Sequence, residues 1–95
     1  MKTRQEYIES LTTELKEWSD DIDILSEKME KSAGMVKLKY VEEVNALHTK
    51  QIEAGEMIKK LENASDEAWE TAKVTADKIW EDLRAGLASA VSKFK

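Results

Sequence analysis

The sequence predicts an all-α protein of the coiled-coil type, and three observations carry that prediction. The chain of 95 residues has no proline and only three glycines, so the residues that usually mark turns are scarce. Ala, Leu, Glu and Lys dominate, and all four are strong helix formers. Apolar residues recur at alternating steps of three and four, which is the heptad spacing of a helix that packs along one seam. The length allows a single domain, residues 1–95.

The first two thirds of the chain carry a narrow apolar seam. Thr3 followed by Glu6 matches a capping box at the start of a helix. The seam shifts by one helical step near Tyr40 and then continues to Leu61, as in a coiled-coil stutter. Gly34 costs about 1 kcal/mol relative to alanine inside a helix, and this cost alone does not stop a helix whose seam continues. We therefore expect one long helix from about residue 3 to 62.

The last third has a different repeat. Residues 63–67 read as a helix end followed by a new N-cap with acids in its first turn, so we expect a second helix over residues 66–93. Trp69 and Trp80 stand eleven residues apart within similar segments, and this spacing indicates a nearly straight apolar face. The face is broader than a heptad seam and needs more than one neighbouring helix to cover it.

These two faces predict self-association. A folded-back second helix would cover only the second half of the first, and the open seam is a patch that monomers avoid. We expect a homo-oligomer, most simply an antiparallel dimer, assembled into a helical bundle. Its predicted interface consists of Ile8, Leu11, Leu15, Trp18, Ile22, Leu25, Met29, Trp69, Trp80, Leu83, Leu87 and Phe94. The alternative is a turn at Gly34, which gives an antiparallel three-helix bundle with helices over 3–32, 35–62 and 66–94.

The composition also bounds the function. Twenty acids against fifteen bases give a net charge of −5, the opposite of what a protein needs to neutralise nucleic-acid phosphates. Cysteine is absent, so disulfides and thiolate chemistry are excluded. No apolar run approaches the ~20 residues that span a bilayer, and the N-terminus lacks the apolar core of a signal peptide. We expect a soluble, cytoplasmic protein.

No residue pattern predicts catalysis, a metal or a cofactor. His48 is the only histidine and lacks the glutamate three residues before it that di-iron bundles use. Asp20, Asp21 and Asp23 lie inside the heptad run without the glycine turn of a calcium loop, so we interpret them as a solvated face. One histidine and three glycines offer little material for a pocket, and we expect neither an enzyme nor a small-molecule substrate.

Five segments carry a resemblance: residues 2–9, 15–18, 68–70, 79–83 and 92–95, whose letters are KTRQEYIE, LKEW, AWE, IWEDL and SKFK. The chain resembles a family of small bacterial coiled-coil proteins, some of them associated with stress responses in cyanobacteria. The resemblance implies a non-enzymatic structural or interaction protein that self-assembles, with a link to stress. The alternative is a peripheral protein that binds a lipid surface through Trp69, Trp80 and Phe94. The mixed charges beside these residues favour packing over lipid.

Overall fold

Three antiparallel helices form the structure, a computed structural model that describes residues 3–93. They are α1 (Arg4–Lys31), α2 (Gly34–Asn63) and α3 (Asp66–Lys93), and residues 3–93 contain no strand. The all-α prediction is confirmed. The bundle measures 51 × 17 × 17 Å. That length fits helices of about 30 residues at 1.5 Å per residue, and it matches the three-helix alternative.

The long helix expected over residues 3–62 is not observed, because the chain turns at Ser32 and Ala33. Both residues are extended, and Gly34 follows with a φ of +67°. This left-handed conformation suits glycine, which has no Cβ to clash. A straight helix would leave the seam of α1 exposed to water. Burying one large aliphatic side chain gains about 1.5–3 kcal/mol, so covering several of them outweighs the cost of one turn.

The other two helix starts follow the predicted signals. Thr3 caps α1, since its hydroxyl oxygen accepts a 3.1 Å hydrogen bond from the Glu6 N–H. Ser65 caps α3 in the same way, with its Oγ 3.2 Å from the Ala68 N–H. The predicted break near Ser65 is confirmed.

The core lies along the axis of the bundle and is built from aliphatic residues, alanines and one tryptophan. No polar or charged side chain is buried among residues 3–93. The lack of buried polar groups means that apolar burial is the main force holding the helices together. The buried residues are Leu11, Ile22, Leu25, Val44, Leu47, Ala54, Met57, Leu61, Ala76, Trp80, Leu83, Leu87 and Ala90.

Helices α1 and α3 run parallel, with residue i of α1 level with about residue i + 70 of α3. The Trp80 indole N–H donates to the Leu11 carbonyl oxygen at 3.2 Å, and Arg84 contacts the Glu14 carboxylate at 3.0 Å. Lys93 reaches Glu43 of α2 at 2.5 Å. These contacts align α3 with α1 and with α2, and both alignments place the turn between α1 and α2 about eight residues, or ~12 Å, past the level of Lys93. No described helix combines the length and the apolar character that crossing a membrane requires.

Candidate interaction surface

Eleven of the twelve predicted interface residues pack inside one chain. Six are buried: Leu11, Ile22, Leu25, Trp80, Leu83 and Leu87. Five are partly buried and pack against that core: Ile8, Leu15, Trp18, Met29 and Trp69. Phe94 lies outside the described residues. Because α2 and α3 cover the seam of α1, the open patch that motivated the dimer does not exist in this fold. Self-association itself stays a prediction.

One end of the bundle, where α1 and α3 begin, is held by contacts between side chains. We call it the braced end and define it by Arg4, Tyr7, Asp66, Trp69 and Lys73. The Arg4 guanidinium lies 4.4 Å from the centre of the Trp69 ring and also contacts the Asp66 carboxylate at 3.0 Å. Its other nitrogen donates to the Ala64 carbonyl oxygen at 2.6 Å. One arginine thus joins α1 to the loop between α2 and α3 and to the start of α3.

Tyr7 provides the second contact of the braced end. Its ring meets the Trp69 ring edge to face, with centroids 5.7 Å apart and planes at 82°. Its hydroxyl donates to the Asp77 carboxylate and lies 3.3 Å from the Lys73 carbonyl oxygen. Burial, together with the hydrogen bond to Asp77 and the negative charge of Asp77, raises the pKa of Tyr7 above its ordinary value. The phenol therefore stays protonated and keeps donating across the α1–α3 interface.

A groove between α1 and α3 continues from this end. Trp80 forms its floor, and Glu14, Asp77 and Arg84 line it. Arg84 pairs with Glu14 at 3.0 Å and also lies 5.6 Å from the Trp18 ring, while Asp77 accepts from Tyr7. Because these polar groups pair across the groove, they hold α1 and α3 together.

The residues weighed as metal ligands lie apart. His48 is half-buried, and its Nε2 is 3.4 Å from the Ser26 hydroxyl. Asp20, Asp21 and Asp23 are exposed on α1, as expected for a solvated face. Across residues 3–93, His, Asp and Glu form no group of three that could hold a metal ion.

The opposite end of the bundle exposes apolar side chains. Met35, Val36 and Leu38 stand at the start of α2 with 85%, 53% and 68% of their surface exposed. Val36 continues the inward stripe of α2 through Tyr40, but it lies beyond the level that α3 reaches at Lys93. Within residues 3–93, α3 does not reach that level, and Val36 is 53% exposed. We define residues 28–41 as the turn end.

The turn end is also basic, although the protein is acidic. Residues 28–41 hold four lysines and one glutamate, a net charge of +3, while the rest of the chain holds 11 bases and 19 acids, a net charge of −8. The lysines, all exposed, are Lys28, Lys31, Lys37 and Lys39. The first turn of α2 has no acid, and Ala33 offers no side-chain cap. The positive end of the α2 dipole adds to this field.

Sequence reasoning missed this surface, although a signal for it exists. Met35 and Leu38 stand off the seam positions Met29, Val36 and Tyr40, and Leu38 lies between Lys37 and Lys39. Off-seam apolar residues among lysines have no place in a buried stripe. The tryptophans are the most prominent apolar residues of the sequence, but their size makes them more often buried.

Compared with family models, with curated proteins and with solved structures, the chain matches none of them. The resemblance to small bacterial coiled-coil proteins stays a prediction.

Proposed function

We propose that this chain is a non-enzymatic interaction protein, a stiff helical stalk that binds its partner through the turn end. One observation carries the proposal: three large apolar side chains remain exposed together at one end. Met35, Val36 and Leu38 follow almost consecutively, whereas the other exposed large apolar residues within 3–93 stand singly in the sequence: Ile24, Ile52, Val74 and Val91. Scattered exposed residues are normal, but clustered ones mark binding surfaces.

The rest of the bundle supports a stalk. Its polar groups near the core pair with one another, and its apolar side chains fill the core between three helices. Trp80 is only 2% exposed and Trp69 is partly buried against the core, which favours the turn end over these tryptophans as the binding surface; Phe94 lies outside the described residues. Self-assembly and a role in stress stay predictions, and neither is needed for the turn end to bind.

The test uses an anionic naphthalene sulfonate dye, which fluoresces when it binds an exposed apolar and basic surface. The variant Met35→Gln with Leu38→Gln should lower dye fluorescence several-fold at unchanged helicity, since glutamine keeps the helix but removes the apolar surface. The matched control is Ile52→Gln with Val74→Gln, whose side chains are 64% and 68% exposed. Equal losses in both variants would contradict a binding surface at the turn end.

A further inference from the structure

We infer that the turn end binds an anionic lipid surface, with Met35, Val36 and Leu38 entering the headgroup region and the lysines around them meeting lipid phosphates and carboxylates. This inference rests on the proposed function and names its partner. The three apolar residues, respectively 85%, 53% and 68% exposed, occupy the first turn and a half of α2. Apolar side chains flanked by lysines are the combination that interfacial segments use.

Shape favours a lipid surface over a protein partner. The bundle is 17 Å wide in both short directions, so a partner that meets it end-on faces a cross-section of only roughly 300 Å². A stable protein interface buries about 800 Å² on each partner. The turn end is also a convex hairpin tip rather than a groove, and a convex tip can enter a deformable lipid surface without a matching cavity.

Charge separation makes the approach favourable despite the net charge of −5. The turn end extends ~12 Å beyond Lys93, and the Debye length at physiological salt is about 8 Å. An anionic surface that touches the tip is therefore screened from most of the acids on the body. It meets Lys28, Lys31, Lys37 and Lys39; Glu30 is the acid within residues 28–41, and Glu27 and Glu42 border that segment.

The experiment is co-sedimentation of the full chain with 100 nm vesicles, of phosphatidylcholine alone or mixed three to one with phosphatidylserine. Binding is expected to the mixed vesicles and to weaken at high salt. Lys37→Gln with Lys39→Gln should weaken it about 25-fold, because each lysine near an anionic surface contributes about fivefold. The control, Lys59→Gln with Lys60→Gln, alters two exposed lysines at the far end of the same helix and should change binding less than twofold.

The apolar contribution is tested in parallel. Met35→Gln with Leu38→Gln should weaken vesicle binding at least tenfold, and Ile52→Gln with Val74→Gln should leave it within twofold. Tryptophan emission should not shift on binding, since Trp80 is buried in the core, Trp18 packs partly buried against it, and Trp69 belongs to the braced end. A blue shift would instead place the tryptophans at the lipid and overturn the inference.

Other outcomes separate this inference from the proposed function. One outcome is that the chain fails to bind the mixed vesicles although its dye fluorescence still falls in the variant Met35→Gln with Leu38→Gln. That result overturns the lipid partner alone. Loss of self-association in that variant without lipid would assign the surface to a second copy and also overturn it. If the variant Met35→Gln with Leu38→Gln also leaves dye fluorescence unchanged, both proposals fail.

Discussion

Charged and large apolar side chains lie at both ends of the bundle, but they contact one another at the braced end and are exposed at the turn end. At the braced end, Arg4 and Tyr7 meet Trp69, and an acid stands in the first turn of both helices that begin there. At the turn end, α2 begins without an acid or a side-chain cap, and Met35 stands 85% exposed. The two helices that begin at the braced end have capping side chains and first-turn acids, whereas α2, which begins at the turn end, has neither.

The start of α2 lacks stabilising groups that the starts of α1 and α3 have. Caps and first-turn acids contribute about 0.5–2 kcal/mol each, and single substitutions would supply them at the start of α2. A surface that keeps exposed apolar residues and uncompensated lysines is less stable than it could be. Such local departures from the folding rules are expected at functional sites.

The largest expected contrast between the ends comes from truncating one large apolar residue in each region. Trp80→Ala removes a side chain that is 2% exposed and whose indole N–H bonds Leu11, so we expect a loss of about 3–5 kcal/mol. Met35→Ala removes an exposed side chain and should change the free energy of unfolding by less than about 0.5 kcal/mol. Urea denaturation of both variants checks this. Similar costs would mean that the turn end is part of the folded core.

Gly34→Ala probes the turn itself. Alanine at a φ of +67° is strained by about 1–2 kcal/mol, and alanine is better than glycine in a continuous helix by about 1 kcal/mol. Both effects favour straightening α1 and α2 into the long helix that the sequence suggested. A straightened chain re-exposes its seam and must pair with a second copy, as in domain swapping. We expect this variant to form dimers in sedimentation velocity at concentrations where the parent chain does so less.

Gly55→Ala is the control for that experiment. Gly55 lies within α2, and a Cβ there meets nothing within 4 Å. It should stabilise the helix by up to about 1 kcal/mol without changing the oligomeric state. Dimer formation in both variants, or in neither, would show that the conformation of Gly34 does not control the choice between hairpin and long helix.

The sequence predicts much of the fold because helix formation is local. The cap at Thr3, the break before Asp66 and the stripe through Leu25 and Leu83 follow from spacing and residue type, and the structure confirms them. The turn after Ser32 was predicted only as the alternative, a turn at Gly34, because its cause is not local. Whether α2 folds back depends on the apolar surface of α1 that it covers. The spacing of apolar residues in a seam is the same whether a second molecule or the next helix of the same chain covers it.

The candidate surface was harder to predict for a related reason. Exposure of Val36 depends on how far α3 extends past the α2 residues it packs against, which is set by the register between Lys93 and Glu43. A seam position looks buried in the sequence whether or not the third helix reaches it. The excess of lysines in residues 28–41 was readable, but it becomes a site only when the fold places it at one end.

The smallest expected effect concerns pH and the braced end. The pKa of Tyr7 is raised in the folded state, whereas in the unfolded chain it takes its ordinary value near 10. The folded state therefore holds this proton at a pH where the unfolded state releases it. The stability from this difference is fully present below pH ~10 and falls as the pH rises above it.

Tyr7→Phe should remove that part of the alkaline loss. At neutral pH the variant should be less stable than the parent by about 0.5–1.5 kcal/mol, because the hydrogen bond to Asp77 is gone. Between pH 9 and 11 its melting temperature should fall less steeply than that of the parent, since both chains share the same lysines and only the parent ionises Tyr7 on unfolding. Thermal melts followed by circular dichroism measure both quantities. Parallel curves would show that the phenol at the braced end is not held protonated by its contacts, and the difference between the ends would then rest on Arg4 and the helix caps alone.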